Sequence, residues 1–432
     1  MLRPYFVRTG ETDMRTVTRR EFAAGALAVG TSAHLASAIA QSGPVGASRL
    51  DETLHGGIDR RGIPAVAAMV ARKDRVLYQA AFGTRDRESG TAVKPDSMFA
   101  IASMTKAITS AAALQLVEQG RMSLTEPVSR HLPELADVQV LEGFDASGKP
   151  KLRAARRPIT LHHLLTHTSG FCYDSWSAEM VRWEAAVGET LPPSVVAPRV
   201  PLMFDPGTRW QYGYSVDWVG KLVEAVSGMT LEEYFRRSIL LPLGMVDTTF
   251  VFPAEKFDRL VSGYRRQDDG TLKPDPRAVP ARPVAFNGGG GLYSTCADYV
   301  RFMQMILRNG QTESGKAILR SATVKQMSTN QIGNLVAGRL KSQRPAVTRD
   351  VDLHPGATDR WGLGFLINEK PYSDGRSAGS LAWAGVFNTF YWIDPRKDLC
   401  AVIMMQFLPF VDDQAVGLLR DFERAVYATF MR

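Results

Sequence analysis

Apolar residues follow two kinds of spacing along the chain, and each kind occupies its own region. Residues 65–83 form two short apolar runs around a polar turn, which is typical of paired strands. From Ser103 the apolar positions recur about every 3.6 residues until Gly120, and this spacing predicts a helix. Runs of the strand type return near the C-terminus, at residues 364–367, 389–393 and 399–405.

Helical spacing dominates the middle of the chain. It predicts helices at residues 161–165, 216–226, 231–240, 297–307 and 413–430. Strands near both ends with helices between them predict an α/β (α+β) fold, in which both chain ends complete one sheet. We place the α/β part at about 50–100 and 285–432, and a mostly helical insertion at about 101–284.

The first 40 residues carry an export pattern. Arg19-Arg20 precedes a weakly apolar run, 23–40, that ends in small residues. These features are typical of a twin-arginine signal, with cleavage before Gln41 and a periplasmic or secreted mature domain, 41–432. A membrane anchor is the alternative, but His34 interrupts the run, and a spanning helix needs about 20 strongly apolar residues.

Composition excludes several classes of protein. The chain has 432 residues, 45% hydrophobic and 22% charged, which excludes disorder, collagen-like repeats and a membrane bundle. The net charge is +8, yet no basic run with interleaved aromatics predicts nucleic acid as a partner. Three cysteines, Cys172, Cys296 and Cys400, are too few for a disulfide scaffold, and whether two of them pair stays open.

The strongest candidate for chemistry is Ser103-Met104-Thr105-Lys106, at the start of the first predicted helix. On a helix, a serine three residues before a lysine lies on the same face as that lysine. Serine is a weak nucleophile near neutral pH, but a neighbouring amine kept neutral by burial can take its proton. The alternative is a capping serine followed by a solvated lysine. Apolar residues on both sides of the motif favour the buried lysine.

Further segments reveal a family resemblance. Trp210 to Asp217 follows a Pro-Gly-Thr turn, and Trp383-Ala384-Gly385-Val386 lies on a strand-like run. With these, the chain resembles the serine β-lactamase and penicillin-binding-protein superfamily, and it looks closest to the family VIII carboxylesterases of the class C β-lactamase fold. The resemblance covers roughly residues 50–430 and rests on ordered segments at 103–106, 164–170, 206–208, 242–245 and 289–295.

The resemblance implies a role for each candidate site residue, and an antiparallel sheet flanked by helices. Ser103 would be the acylated nucleophile, Lys106 its proton acceptor, and Tyr212 the tyrosine that shuttles protons. Which of Lys106 and Tyr212 is the base stays open. Tyr214 is a rival, but the spacing from Tyr212 to Asp217 matches the esterases.

The resemblance also implies an oxyanion hole. Trp383-Ala384-Gly385 would replace the Lys-Thr-Gly strand of β-lactamases, and the backbone N–H groups of Ser103 and Val386 would face the developing negative charge. No Lys-Thr-Gly occurs in the chain, so the cation that holds a β-lactam carboxylate is missing. Tyr214 stands where β-lactamases usually have Asn. Both differences favour neutral esters.

We therefore expect an exported serine carboxylesterase that forms an acyl-enzyme on small or medium acyl esters, without a metal or other cofactor. The alternatives are a β-lactamase, a D-amino-acid peptidase or an acyltransferase with the same site. A non-catalytic cell-wall-binding module fits less well because all three catalytic positions are present. An aromatic cluster either lines an acyl pocket or packs in the core: Phe171, Tyr173, Trp176 and Trp183.

Two other patterns have simpler explanations. Residues 375–379 match the Gly-x-Ser-x-Gly nucleophile elbow, but the histidine of that mechanism must follow the serine, and the last histidine, His354, precedes Ser377. His163 and His167 are four residues apart, but the Glu of His-Glu-x-x-His and further ligands are missing, which favours structural histidines.

Overall fold

The computed structural model describes residues 47–188, 200–373 and 375–431. The export pattern in the first 40 residues lies outside the described residues. Within the described ranges, no helix combines the length and the apolar character needed to cross a membrane.

The described residues form ten α-helices. They are α1 (Ala47–Asp59), α2 (Thr105–Glu118), α3 (Leu161–Leu165), α4 (Ala178–Val187), α5 (Ser215–Ser227), α6 (Leu231–Phe235), α7 (Leu241–Leu243), α8 (Cys296–Leu307), α9 (Ser321–Met327) and α10 (Asp413–Phe430). A π-helical turn, Arg236–Leu240, joins α6 to α7. Short 3₁₀ turns lie at Ala102–Met104, Val128–Arg130, Pro133–Leu135, Asp174–Trp176 and Ala254–Arg259.

Fifteen strands complete the described fold. They are β1 (Ala65–Ala71), β2 (Val76–Asp86), β3 (Thr91–Ala92), β4 (Phe99–Ala100), β5 (Gln139–Phe144), β6 (Pro150–Ala154), β7 (Tyr264–Arg266), β8 (Leu272–Pro274), β9 (Tyr293–Ser294), β10 (Asp359–Trp361), β11 (Leu366–Asn368), β12 (Leu381–Gly385), β13 (Thr389–Asp394), β14 (Leu399–Met404) and β15 (Phe407–Leu408).

The main sheet joins strands from both chain ends. Its order is β10-β11-β12-β13-β14-β1-β2-β3, and neighbouring strands are antiparallel. The early strand β1 pairs with the late strand β14, with Met69 opposite Val402. This arrangement confirms the predicted α/β class and the sheet that both ends complete.

Helices cover both faces of the sheet. Successive residues of a strand point to opposite faces. On β13, Tyr391 contacts Tyr299 of α8, while the next residue, Trp392, contacts Phe422 of α10. Every residue of β1, β13 and β14 is buried, which explains why these strands are almost continuously apolar.

The sequence patterns did not predict α1, which packs against α10. Its Gly56-Gly57 pair lowers helix propensity by roughly 1 kcal/mol per residue relative to alanine. A Cβ at Gly57 would overlap the side chain of Leu418 in α10, so glycine allows the two helices to approach closely. Tertiary packing therefore overrides the local preference.

The predicted helical part, 101–284, contains α2 to α7 and also two antiparallel hairpins, β5–β6 and β7–β8. The helix predicted over 231–240 is α6 continued by the π-helical turn. In α2, every residue from Thr105 to Leu116 is buried, so this helix runs through the interior rather than along the surface. The division into two parts itself stays a prediction.

Candidate active site

Ser103 lies in the 3₁₀ turn between β4 and α2. The preceding residue, Ala102, has a φ of 43°, in the left-handed region that costs a non-glycine residue about 1–2 kcal/mol. Such strain persists only where the surrounding structure enforces it, and it is common at functional sites. Both Ala102 and Met104 are buried, while Ser103 itself is half-buried. The turn therefore holds the serine hydroxyl at the edge of the interior.

Lys106 is buried directly beside this serine, with only 1% of its surface exposed. Its Nζ lies 3.1 Å from Ser103 Oγ, and it donates to the carbonyl oxygen of Gly289 over 2.5 Å and to the hydroxyl of Tyr173 over 3.3 Å. Among the described residues, no carboxylate lies within ion-pair distance of Nζ. The predicted pair of serine and lysine is therefore in direct contact, as proton transfer between them requires.

Tyr212 lies against both Lys106 and the strand β12. Its ring centroid is 4.8 Å from Lys106 Nζ, and its hydroxyl oxygen accepts a hydrogen bond of 3.0 Å from Trp383 Nε1. The rival Tyr214 stacks its ring edge-on against Tyr173, at 4.3 Å between centroids. The structure thus brings Tyr212 to the serine–lysine pair, and the shuttle role assigned to it stays a prediction.

Two groups at the site were not assigned a role from the sequence. These groups are Tyr173, a member of the aromatic cluster, and Asp217: the Tyr173 hydroxyl donates to Asp217 Oδ2 over 3.0 Å. Burial raises the pKa of Asp217 to about 6, although Lys106 and the Tyr173 hydrogen bond act in the opposite direction. An aspartate in the apolar first turn of α5 was the available signal, because carboxylates are rarely buried without a partner.

The glycine run at 288–291 passes close to these groups. The carbonyl oxygen of Gly288 accepts a hydrogen bond of 2.6 Å from Thr109 Oγ1, and that of Gly289 accepts from Lys106. A Cβ at Gly289 would overlap the carboxylate of Asp217. Residue 289 must therefore be glycine, because its carbonyl oxygen reaches Lys106 at a place where a Cβ would overlap Asp217.

The end of β12 packs on the turn that carries the serine. A Cβ at Gly385 would overlap the carbonyl oxygen of Ile101 and the hydroxyl of Thr389, so only glycine permits this approach. Val386 follows in the turn to β13, half-buried. The backbone N–H groups of Ser103 and Val386 thus belong to two segments in direct contact, which is compatible with the predicted oxyanion hole.

Asn388 anchors this turn to the neighbouring segment. Its Nδ2 donates to the carbonyl oxygens of Phe407 and Pro409 over 2.8 and 2.9 Å, and its Oδ1 accepts from the Val411 N–H over 3.0 Å. Its φ is 62°, a left-handed conformation that asparagine tolerates better than most residues. All side-chain bonds of this buried amide therefore hold the loop that begins at Val386.

Comparison with known proteins decides the family. The sequence profile described as Beta-lactamase matches residues 50–425. The chain belongs to the β-lactamase family. The resemblance inferred from the motifs is thereby confirmed.

This β-lactamase-family protein has relatives with both esterase and acyltransferase names. It is 32% identical to monacolin J acid methylbutanoyltransferase of Aspergillus terreus (strain NIH 2624 / FGSC A1156), over 87% of the chain and 94% of that protein. It is also 32% identical to lovastatin esterase of Penicillium rubens, over 88% of the chain and 98% of that protein. The chain is thus a member of the β-lactamase-fold superfamily of serine hydrolases and acyltransferases.

A solved structure supports the same placement. The LovD6 mutant of simvastatin synthase from Aspergillus terreus superposes on this β-lactamase-family protein with a TM-score of 0.75 at 30% identity. The match covers 88% of the chain and 94% of that structure. The similarity therefore extends over the sheet, the helices and the site, rather than over one motif.

The histidines of this β-lactamase-family protein have structural surroundings. His163 Nδ1 accepts from the Thr160 N–H over 3.2 Å, which caps α3. His167 is fully buried against the rings of Tyr212 and Trp361, and burial holds its pKa well below the usual range. Across the described residues, no group of three or more His, Cys, Asp or Glu side chains is arranged to hold a metal ion.

Among the described residues, neither the other serine candidate nor any cysteine makes a hydrogen bond to Ser103 or Lys106. Ser377 donates its backbone N–H to Asp394 Oδ2 over 2.8 Å, in the loop before β12. Cys172, Cys296 and Cys400 are all free and buried.

Proposed function

We propose that this protein is a serine esterase that forms an acyl-enzyme on Ser103 and acts on carboxylic esters of small or medium acyl chains. The observation that carries the proposal is the 3.1 Å contact between Lys106 Nζ and Ser103 Oγ. A buried amine beside a serine hydroxyl can accept its proton as the oxygen attacks a carbonyl carbon. The esterase preference rests on the residues of β12.

The reaction follows from the placement of these groups. Ser103 Oγ attacks the ester carbonyl while its proton passes to Lys106 or, through it, to Tyr212. The oxygen of the tetrahedral intermediate faces the backbone N–H groups of Ser103 and Val386. Collapse transfers the proton to the leaving alcohol, and water then attacks the acyl-enzyme with the same groups acting in reverse.

The choice of ester over β-lactam depends on a missing cation. A charge-assisted hydrogen bond to a substrate carboxylate contributes roughly 1.5–3 kcal/mol, which corresponds to about ten- to a hundred-fold in kcat/KM. β12 offers Trp383 and Ala384, and the indole N–H of Trp383 is already donated to Tyr212. A neutral ester needs no such cation.

Two arginines are candidates to substitute for this missing cation, and both already bind carboxylates. Arg153 binds Asp205 through two hydrogen bonds of 3.0 and 2.7 Å, so its guanidinium is already paired. Arg344 is shared between Asp174 and Glu184, over 2.9 and 3.2 Å. The engagement of both guanidiniums by carboxylates supports the proposed preference for neutral esters.

Acyl transfer is the second candidate, and the relatives favour it. A methylbutanoyltransferase and an esterase are equally similar to this chain, at 32% identity each. Both reactions pass through the same acyl-enzyme, and they differ only in whether water or another alcohol or amine attacks it. The natural acceptor would then decide between the two outcomes.

The proposed setting is the periplasm or the extracellular space, after removal of a twin-arginine signal. The proposed partner is a small-molecule ester, with neither nucleic acid nor stable membrane insertion. Both proposals rest on the sequence pattern before Gln41 and on the charge distribution.

A substrate panel tests the proposal. We expect p-nitrophenyl butyrate to be turned over with a kcat/KM at least about ten-fold above that of nitrocefin or a D-Ala-D-Ala peptide. Esters of graded acyl length locate the preferred chain, and added alcohols measure transfer. Ser103→Ala should abolish every one of these activities. A kcat/KM for nitrocefin equal to or above that for the butyrate would replace the esterase assignment by a β-lactamase.

A further inference from the structure

A chain of partly buried hydrogen bonds links Lys106 through Tyr173 to Asp217. Lys106 Nζ lies 3.3 Å from the hydroxyl of Tyr173, and that hydroxyl donates to Asp217 Oδ2 over 3.0 Å. We propose that Tyr173 and Asp217 orient the amine of Lys106, so that its lone pair faces Ser103. Asp217 is then a positioning residue that acts through Tyr173, and the inference rests on the proposed acyl-enzyme chemistry.

To take the proton of Ser103, the amine of Lys106 must be neutral. Such an amine has two N–H donors and one lone pair, arranged tetrahedrally. Lys106 Nζ has three oxygen neighbours, which belong to Ser103, Tyr173 and Gly289. The Gly289 carbonyl can only accept, so it takes one N–H. If the Tyr173 hydroxyl accepts the second N–H of Lys106, the lone pair remains for Ser103. If it donates to Lys106, the lone pair is occupied.

Asp217 determines that direction. An ionised carboxylate can only accept hydrogen bonds, so Tyr173 must donate its proton to Asp217 and present its oxygen to Lys106. The second N–H of Lys106 then goes to Tyr173, and the lone pair is left for the hydroxyl proton of Ser103. If Tyr173 donated to Lys106 instead, it would occupy the lone pair that the reaction needs.

The surroundings strengthen this effect. Asp217 and Lys106 are 2% and 1% exposed, and hydrogen bonds in such an interior polarise one another more strongly than in water. The charged and titratable groups that face Asp217 are Lys106 from α2, Tyr173 from the loop after α3, and Tyr214 beside α5. Only Tyr173 makes a direct side-chain hydrogen bond to Asp217 among the described residues.

The proton balance needs no further reactant. As the bond from Ser103 Oγ to the acyl carbon forms, the hydroxyl proton moves to the lone pair of Lys106. The resulting ammonium donates three hydrogen bonds, to the Ser103, Tyr173 and Gly289 oxygens. The proton later leaves with the alcohol, while Asp217 and Tyr173 keep their own protonation states throughout.

A double-mutant cycle tests the inference on the full chain. The readout is the second-order rate at which a fluorophosphonate labels Ser103, which measures nucleophilicity without any assumption about the ester. We expect Tyr173→Phe and Asp217→Asn each to lower this rate about ten-fold. The double variant should be no slower than the slower single variant. KM for p-nitrophenyl butyrate should change less than two-fold in Asp217→Asn, because Asp217 is only 2% exposed and acts through Tyr173.

Tyr214→Phe is the matched control, since it removes a hydroxyl from a buried ring that contacts Tyr173. The second-order rate at which Ser103 of this variant is labelled should lie within about three-fold of the wild-type rate. Thermal melts confirm that each variant is folded, and Tyr173→Phe keeps its ring, so the test does not depend on Asp217→Asn alone.

Three outcomes overturn the inference: wild-type labelling in Tyr173→Phe, wild-type labelling in Asp217→Asn, or losses that multiply in the double variant. Multiplied losses would show that Asp217 acts independently of Tyr173. The proposed function fails separately, if wild-type Ser103 is labelled but no ester is turned over.

Discussion

The indole N–H of Trp383 donates to the phenol oxygen of Tyr212 over 3.0 Å. The two residues lie 171 positions apart in the chain and meet where β12 passes the loop before α5. Trp383 therefore holds the hydroxyl of the tyrosine that we expect to move protons. Trp383, which we expect to take the place of the β-lactamase lysine, is thus a neutral donor that is already engaged.

Replacing Trp383 by phenylalanine should lower kcat for p-nitrophenyl butyrate about three- to ten-fold, because a net hydrogen bond of this kind is worth about 0.5–1.5 kcal/mol. Steady-state kinetics measure the change. Trp210→Phe is the control, since its buried Nε1 has no hydrogen-bond partner among the described residues. Equal activity of the two variants would contradict the role of the Trp383 bond.

Lys106→Ala and Tyr212→Phe should each lower kcat by at least about 10²-fold, as expected when a proton-transfer group is removed. Tyr214→Phe should have a far smaller effect, because its ring contacts Tyr173 rather than Lys106. Measuring kcat of the three variants on the same ester tests this prediction. If Tyr214→Phe were inactive and Tyr212→Phe active, the wrong tyrosine would have been chosen.

A fluorophosphonate should form one adduct, on Ser103. Of the two candidate serines, only Ser103 has an amine within hydrogen-bond distance of its hydroxyl. Ser377 lies in a loop, and its backbone N–H donates to the carboxylate of Asp394. Intact mass gives the number of adducts, and peptide mapping gives the position. An adduct on Ser377 would remove the basis of the whole assignment.

Asp217→Asn should stabilise the fold at pH 8 while it lowers activity. The pKa of Asp217 is raised from 3.8 to about 6 in the folded state, so the fold disfavours the ionised form. That penalty, about 2–3 kcal/mol at most, is complete above pH 6 and disappears as the pH falls towards 4. Denaturant titrations at pH 8 and pH 4 should show the gain only at the higher pH. A loss of stability at pH 8 would contradict the assigned cause.

Gly289→Ala should lower the melting temperature, whereas Gly290→Ala should leave it nearly unchanged. At Gly289 the new Cβ would overlap the Asp217 carboxylate, and overpacking of this kind costs about 1–3 kcal/mol. At Gly290 the nearest heavy atom is the carbonyl carbon of Ala102, at 3.5 Å, which is an ordinary contact. Equal melting temperatures for the two variants would show that the site adapts to the added methyl group.

Local pattern was sufficient for the main elements and for one half of the site. The buried strands β1 and β14 are apolar throughout, and α2 follows its 3.6-residue spacing to a glycine with positive φ at Gly120. Ser103 and Lys106 are three residues apart, so helical geometry alone brings them together. The helix α1 was missed, because its stability comes from packing on α10 rather than from its own sequence.

The sequence by itself determined the family, the α/β architecture and the pairing of Ser103 with Lys106, since each depends on short-range spacing or on ordered motifs. Only the tertiary structure decided that Tyr173 meets Lys106 and that Trp383 meets Tyr212, because these two contacts join residues 67 and 171 positions apart. Spacing along a chain predicts which side chains share one helix or strand. It does not predict which segments approach once the core has packed, and the direction of each buried hydrogen bond follows from that approach.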